Sequence, residues 1–257
     1  MVYKKKIVFC CLFSAQIIWK IYAFIEMSWS IVKVLIIVPA YNEELNLIKV
    51  VKDIKKNCNY DYLIINDCST DNTEKLCIEN NFNYLSLPIN YGLSSVVQLG
   101  FKYALKYDYD AVVQFDGDGQ HHAKYIDEMV KELEKGNDIV IGSRYVTKKK
   151  PFSLRMIGSR IISFLIKITT GKTINDPTSG FRIYSKKLIP EFANYINYPP
   201  EPDCLVYLLR RKFRIKEVQV EMSEREFGTS YLNAFKSFEY MLRICVSILF
   251  IQLFRRK

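Results

Sequence analysis

No two of the seven cysteines stand at C-x-x-C spacing, and an odd number scattered over 257 residues does not make a disulfide framework, so a reducing compartment is the default. The only histidines, His121 and His122, are adjacent and have no cysteine or carboxylate partner at zinc spacing. Gly117-x-Gly119 follows an apolar run, but the third glycine of a dinucleotide fingerprint is replaced by His122. No hydrophobic stretch is long enough to cross a bilayer: the run from Ile7 is broken by Gln16 and Lys20, and the run Ile244 to Phe254 is too short. The basic, apolar start also has no small-residue cleavage site of the kind a signal peptide carries. Acidic residues are outnumbered 27 to 37, giving a net charge of +10 and an expectation of an anionic partner. Basic clusters stand at Lys4 to Lys6, Lys148 to Lys150 and Arg255 to Lys257. Two of the three flank apolar termini, which favours a membrane surface over nucleic acid. Lys148 to Lys150 serves equally well as solvated surface charge.

What the chain does have is 49% hydrophobic residues, enough for one large core, and one stretch that stands out, Asp110 to His122 (DAVVQFDGDGQHH). Ala111 to Phe115 reads as a short buried strand, ending abruptly in Asp116 and Asp118. Two residues apart on extended backbone, both carboxylates project to one side, with Gly117 freeing the backbone to turn or approach a ligand. Oxygen-only ligands suit Mg2+ or Mn2+, and two carboxylates leave coordination positions for the phosphates of a nucleoside diphosphate. The same four residues, D-G-D-G, are also ordinary turn composition. The two histidines read as loop residues, with His121 a candidate neighbour of the ion.

Around this stretch the chain alternates. Strands are expected at Val34 to Val38, Tyr62 to Ile65, Tyr84 to Leu87, Ala111 to Phe115 and Ile139 to Ile141. Helices are expected at Glu43 to Asn57, Thr73 to Asn80, Ser94 to Lys106 and Ala123 to Lys135. Such alternation implies an α/β fold, a mostly parallel sheet with helices on both faces, whose ligands collect at the carboxyl ends of the strands. There the sequence places Pro39-Ala40-Tyr41-Asn42-Glu43, Asn66-Asp67, Asp116 to Gln120 and Gly142-Ser143-Arg144, four polar turns converging on one crevice.

The segments VPAYNEE, INDCSTDNT, NYGLSSVVQLGFKYA, QFDGDGQH, IVIGSRY and DPTSGFRIYSKK resemble, in order and approximate spacing, the family 2 glycosyltransferases of the GT-A (Rossmann-like) fold. The likeness is greatest to the subgroup of dolichyl-phosphate mannose synthase and bacterial polyprenyl-phosphate glycosyltransferases, and it covers roughly residues 33 to 245. The resemblance implies that Pro39, Ala40, Tyr41, Glu43 and Asp67 hold the base and ribose of a nucleotide sugar, while Asp116, Gly117 and Asp118 carry the metal and diphosphate. Asn66 stands where the family commonly has a first aspartate, and Leu93 where it often has a lysine, which removes one phosphate contact.

Sugar transfer needs the departing diphosphate's charge neutralised, by a divalent ion and by arginine. Arg144, Arg182 and Arg225 are the candidates, the last in SEREFGTS, which is similar to the family's R-x-x-G-x-S. Surface ion pairs with Glu224 or Glu226 are the ordinary alternative for Arg182 and Arg225. Asp176 resembles a position near the acceptor, and Glu201 and Asp203 correspond to an acidic segment that supplies a base in other members. Helix capping or ordinary surface exposure is the simpler reading of Glu201 taken alone. A phosphate monoester is largely dianionic at neutral pH and needs little help from a base, whereas a hydroxyl acceptor needs one.

Three regions are expected: an apolar, basic, membrane-associating extension over residues 1–30, a catalytic domain over 31–230, and an amphipathic C-terminal helix over 231–257 at the membrane interface or packed on the core. Met27 leaves open that the first 26 residues precede the working protein. The expected activity is metal-dependent, inverting transfer from a nucleotide sugar to a polyprenyl phosphate at the cytoplasmic membrane face. The alternatives are transfer to a glycan hydroxyl in surface polysaccharide synthesis, or a non-catalytic nucleotide-binding scaffold. A membrane-protein partner or a homo-oligomer stays open.

Overall fold

A computed structural model describes residues 32–194, 201–224 and 234–251. The expected extension over residues 1–30 and the basic C-terminal triplet lie outside them, as does Arg225. Seven strands form one sheet: β1 (Val34–Ala40), β2 (Asp61–Asn66), β3 (Tyr84–Ser86), β4 (Ala111–Gln114), β5 (Ile139–Ser143), β6 (Arg182–Ser185) and β7 (Ile215–Gln219). Their order is β3-β2-β1-β4-β6-β5-β7. All pairings are parallel except those of β6, which runs antiparallel between β4 and β5, with Val113 opposite Ile183 and Val140 opposite the same residue. The sheet is therefore mixed at β6, one of the two strands, with β7, that the sequence pattern did not assign. Strand order turns back on itself between β1 and β4, which makes their exits the switch point where ligands bind in open α/β sheets.

Helices form where apolar residues recur at helical spacing. In α1 (Leu47–Asn57) the buried residues are Leu47, Val50, Val51 and Ile54. The remaining helices of the first half are α2 (Thr73–Glu79), α3 (Leu93–Lys106) and α4 (Ile126–Glu134). Two expected helices start late. Glu43 to Asn46 form a turn in which the Glu43 carbonyl accepts from the N–H groups of Asn46 and Leu47. Ala123–Tyr125 is a 3-10 turn, anchored where the Ala123 N–H donates to Asp53 Oδ2 at 2.7 Å.

Alternation along the strands sends Leu35, Ile37, Leu63, Ile65, Val112, Ile139, Ile141 and Tyr184 into one core. There α3 lies so close to β1 that a Cβ on Gly100 would fall 2.3 Å from Ile37 Cδ1. Phe101 stacks on Phe192 at 4.8 Å and meets the edge of Tyr184 at 5.2 Å. The intervening residues Val34, Ile36 and Val38 point to the opposite face, where α1 and α4 bury their own apolar stripes.

Beyond β5 come α5 (Leu154–Thr170), α6 (Ile189–Asn194), α7 (Pro202–Arg210) and α8 (Ala234–Val246), which runs into a π-helical turn at Ser247–Ile251. Helix α5 is well bounded: Ser153 Oγ accepts the Met156 N–H, and Gly171 ends it at φ 70°. Ile244 and Ile248 are buried in the same core as the sheet, so one face of the C-terminal helix packs inward. Its other face leaves Leu242, Val246, Leu249 and Phe250 exposed. Among the described residues no helix is long and apolar enough to cross a membrane.

Candidate active site

The exits of β1 and β4 are pressed together at Gly117: a Cβ there would sit 2.7 Å from the Pro39 carbonyl oxygen. The glycine between the two aspartates thus serves the close approach of two strand ends, and that approach is what holds both carboxylates over the switch point. Asp116 is about one-third exposed at its side chain. Asp118 Oδ1 accepts the Gln120 N–H at 3.1 Å, a tight turn that keeps the loop folded back.

His121 fixes Asp116 from behind. The Asp116 N–H donates to His121 Nδ1 at 3.0 Å, which requires the neutral ring to carry its proton on Nε2, 3.6 Å from Asp116 Oδ2. The ring is buried, stacked on Phe181 at 4.8 Å and 17°, with the edge of Phe115 at 5.4 Å. Burial pushes its pKa below the usual value despite the opposing pull of Asp116 and Asp118. His121 therefore supports Asp116 from behind, the kind of contact that orients a carboxylate which binds an ion. Gly180 closes the other side, where a Cβ would lie 3.0 Å from Asp116 Oδ2.

Asp67 and Glu43 are satisfied internally. Both carboxylate oxygens of Asp67 accept backbone N–H groups, from Tyr91 and Gly92, each at 2.8 Å, so Asp67 shapes the turn before α3. Glu43 accepts from Asn46 Nδ2 at 2.7 Å while its own N–H donates to Thr73 Oγ1 at 2.9 Å. Tyr41 is exposed at the crevice mouth, and Ala40 ties β1 to β2 by accepting the Asp67 N–H at 2.9 Å. These two, with Pro39, leave a nucleoside a ring face and backbone to rest on.

Arg144 and Asp176 are each other's partners. Arg144 donates from Nε and Nη2 to the two Asp176 oxygens at 2.7 and 2.9 Å, a bidentate pair around a carboxylate that is 0% exposed. Glu217 on β7 clamps the same turn by accepting the N–H groups of Asn175 and Asp176, both at 2.8 Å. The pair is net neutral, so Arg144 offers a diphosphate an edge of donors rather than an uncompensated cation.

Arg182 corrects the sequence expectation. It is 1% exposed, and its Nε and Nη2 donate to the carbonyls of Ser179 and Pro177 at 2.8 and 2.7 Å. It braces the turn that carries Gly180; it is neither a surface ion pair with Glu224 nor an exposed diphosphate contact. Glu201 is paired with Arg243 at 3.0 Å, and burial raises its pKa. No side-chain capping bond joins it to α7. Asp203 accepts from Ser247 Oγ at 2.6 Å. Both acids therefore join α7 to the C-terminal helix.

Sequence reasoning missed the supporting roles of Glu217 and Gly180. A carboxylate inside the alternating segment IKEVQ was the available signal for the first; nothing in the pattern marks the second. Among the described residues no group of three or more histidine, cysteine or acidic side chains is placed to hold a metal ion. The donor set at Asp116 and Asp118 is oxygen only, which fits a hard divalent ion that draws its other ligands from phosphate and water.

A mixed α/β sheet carries this pair of carboxylates over its switch point, and residues 35–192 match the Glycosyl transferase family 2. The chain belongs to that family and is a glycosyltransferase. It is 26% identical to polyprenol monophosphomannose synthase of Mycolicibacterium smegmatis, covering 82% of this chain and 85% of that one. It is 31% identical to dolichol-phosphate mannosyltransferase of Pyrococcus furiosus, covering 82% of this chain and 62% of the relative. Among solved structures it resembles glucosyl-3-phosphoglycerate synthase of Mycobacterium tuberculosis in complex with Mn2+, uridine diphosphate and phosphoglyceric acid. That match has a TM-score of 0.63 at 16% identity and covers 88% and 80% of the two chains, a likeness of fold.

Proposed function

We propose that the chain transfers a sugar from a nucleoside diphosphate sugar to a polyprenyl phosphate at a membrane surface, with inversion at the sugar carbon. The observation that carries this reading is the contrast among acids at the crevice. Asp116 reaches solvent over the switch point, whereas Asp176 is held by Arg144 and Glu201 by Arg243. Transfer to a hydroxyl needs a carboxylate able to take a proton, and these candidates are engaged; a phosphate dianion needs none.

Asp116 and Asp118 would hold a Mg2+ or Mn2+ ion, which when bound neutralises charge on the departing diphosphate. Asp116 is kept in register by His121 and Gly180 and spends no reorganisation on the ion's arrival. Pro39, Ala40 and Tyr41 seat the nucleoside, beside the Tyr91–Gly92 turn that Asp67 fixes. An acceptor phosphate oxygen attacks the anomeric carbon; the bond to the diphosphate oxygen breaks and its electron pair leaves with the nucleoside diphosphate. The remaining donors of Arg144, at the exit of β5, would then face the phosphates. Relatives named for polyprenol and dolichol phosphate support the acceptor class, and a crystal structure holding Mn2+ and uridine diphosphate supports the ion. Exposed apolar residues on α5 and α8 support placement on a membrane, with the cytoplasmic face expected from the cysteines.

The test presents a panel of nucleotide sugars with either polyprenyl phosphate or free oligosaccharide, with and without chelator. Metal-dependent formation of a lipid-phosphate sugar is the expected result. Product on oligosaccharide alone would move the assignment to a hydroxyl acceptor, and neither transfer nor donor hydrolysis would make the chain a scaffold.

A further inference from the structure

The exit of β7 is fastened to two loops of the crevice. Gln219, the last residue of that strand, uses its whole amide. Nε2 donates to the carbonyls of Arg144 and Val220, both at 3.0 Å, and Oε1 accepts the Thr147 N–H and hydroxyl at 2.8 and 3.1 Å. Two donors and two acceptor sites are all that a primary amide has. Three of the four contacts fall on the segment from Arg144 to Thr147, 72 to 75 positions away in the chain. The Arg144 N–H is held separately, by Asp176 Oδ2 at 3.1 Å, so side chains fix the peptide groups on both sides of this arginine.

Glu217 stands two residues back on β7, therefore on the same face, and holds the Asn175–Asp176 turn. The edge strand thus grips both members of the Arg144–Asp176 pair with alternate side chains. Beyond Gln219 the chain runs on to the loop that carries the two aspartates. The Val220 N–H donates to the Ser143 carbonyl and the Ser223 N–H to the Gln120 carbonyl, both at 2.9 Å. Gln120 Nε2 returns a bond to the Ser223 carbonyl at 3.3 Å, and Ser223 Oγ meets His122 Nε2 at 3.1 Å. Four residues of chain span at most about 14 Å, so this strap limits how far the Arg144 loop can stand from the loop of Asp116 and Asp118. Packing of the strand end is served by Val218 and Val220, both buried, and requires no amide at position 219.

We propose that Gln219 is a positioning residue for sugar transfer: it holds Arg144 at a fixed place relative to the Asp116–Asp118 loop, so that the arginine's remaining donors meet the charge developing on the departing diphosphate. This role rests on Arg144 facing the phosphates as proposed above, and it holds for either acceptor. The test measures kcat and donor KM in the full chain with Mn2+, a nucleotide sugar and whichever acceptor of the panel turns over. Gln219→Met keeps the length of the side chain and removes the amide. Gln219→Glu keeps an acceptor for Thr147, removes the donor to Arg144, and guards against misfolding of the first variant. Each should lower kcat about tenfold, with donor KM changed by less than about twofold. Glu221→Gln, on the same strap but in an exposed pair with Lys148, should leave kcat unchanged.

The deciding readout is a double-mutant cycle. In an Arg144→Lys background, which keeps a cation beside Asp176, the Gln219 substitutions should cost less than about twofold further in kcat, because the donors they position are gone. A full loss of about tenfold in that background is the mark of a merely structural role and would overturn the proposal. An unchanged kcat in both Gln219 variants while Arg144→Lys is impaired would overturn it too, and would leave the reading of Arg144 standing. An unimpaired Arg144→Lys, or no turnover in the wild type, would contradict the reading of Arg144 and the proposal with it.

Discussion

Asp116 and Asp176 flank the same antiparallel strand β6 and are the same residue type, yet they occupy opposite states. Asp116 stands at the end of β4 with a third of its side chain in solvent and only a neutral imidazole behind it. Asp176 is sealed from solvent, gripped by Arg144 on one side and by the Glu217-bound turn on the other. The first is poised to gain a charge partner and the second already has one. Function at this crevice is therefore read from what a carboxylate lacks, and the fold from what it has.

The largest effect should separate the two. Asp116→Ala is expected to lower metal-dependent transfer by about a thousandfold, roughly 4 kcal/mol, with the melting temperature unchanged. Asp176→Ala should do the reverse in kind. Leaving Arg144 half-buried without its partner costs about 3 kcal/mol, which a thermal melt would record as a fall of about 6–12 °C. An unchanged melt for Asp176→Ala would break the comparison. Gly117→Ala should cost about 1–3 kcal/mol because its Cβ meets the Pro39 carbonyl at 2.7 Å, and donor binding should weaken with it, since the strand ends must part. His121→Asn preserves an acceptor for the Asp116 N–H and loses the Nε2 proton facing Oδ2. Mn2+ affinity, read by electron paramagnetic resonance, should fall about tenfold.

The smallest effect concerns Glu201, whose pKa burial holds above its usual value. A carboxyl raised in the folded state binds its proton more tightly there than in the unfolded chain. Its contribution to stability is present below the unfolded pKa and is lost as pH rises through the folded one. Glu201→Gln should flatten that part of the stability-versus-pH curve on the side above about pH 4.5; a steeper curve in the variant would reverse the sign of the argument.

The half of the molecule holding Asp116 was legible in the sequence, because β1, β2 and β4 are clean apolar runs ending in polar turns and the helices between them keep one buried stripe. The half holding Asp176 was not. Strand β6 opens on Arg182, a charged residue whose burial is made tolerable by carbonyls of its own preceding turn that accept its donors. Helix α5 is apolar on more than one side, with Ile162 and Ile166 buried but Ile161 and Phe164 exposed, so its period is blurred. The pairing of Arg144 with Asp176 joins residues 32 apart, and spacing alone carries no signal for it. The sequence motifs named both residues and left unread that each neutralises the other.

The central claim is that Asp116 and Asp118 carry the ion that binds the donor's diphosphate. The direct measurement is calorimetric titration of a nucleoside diphosphate into the full chain with Mn2+ and then with chelator, on the wild type and on Asp116→Asn/Asp118→Asn. Binding that requires Mn2+ in the wild type and disappears in the variant, at an unaltered melting temperature, is the predicted result. Equal binding with chelator, or Mn2+-dependent binding that survives the double substitution, would contradict it.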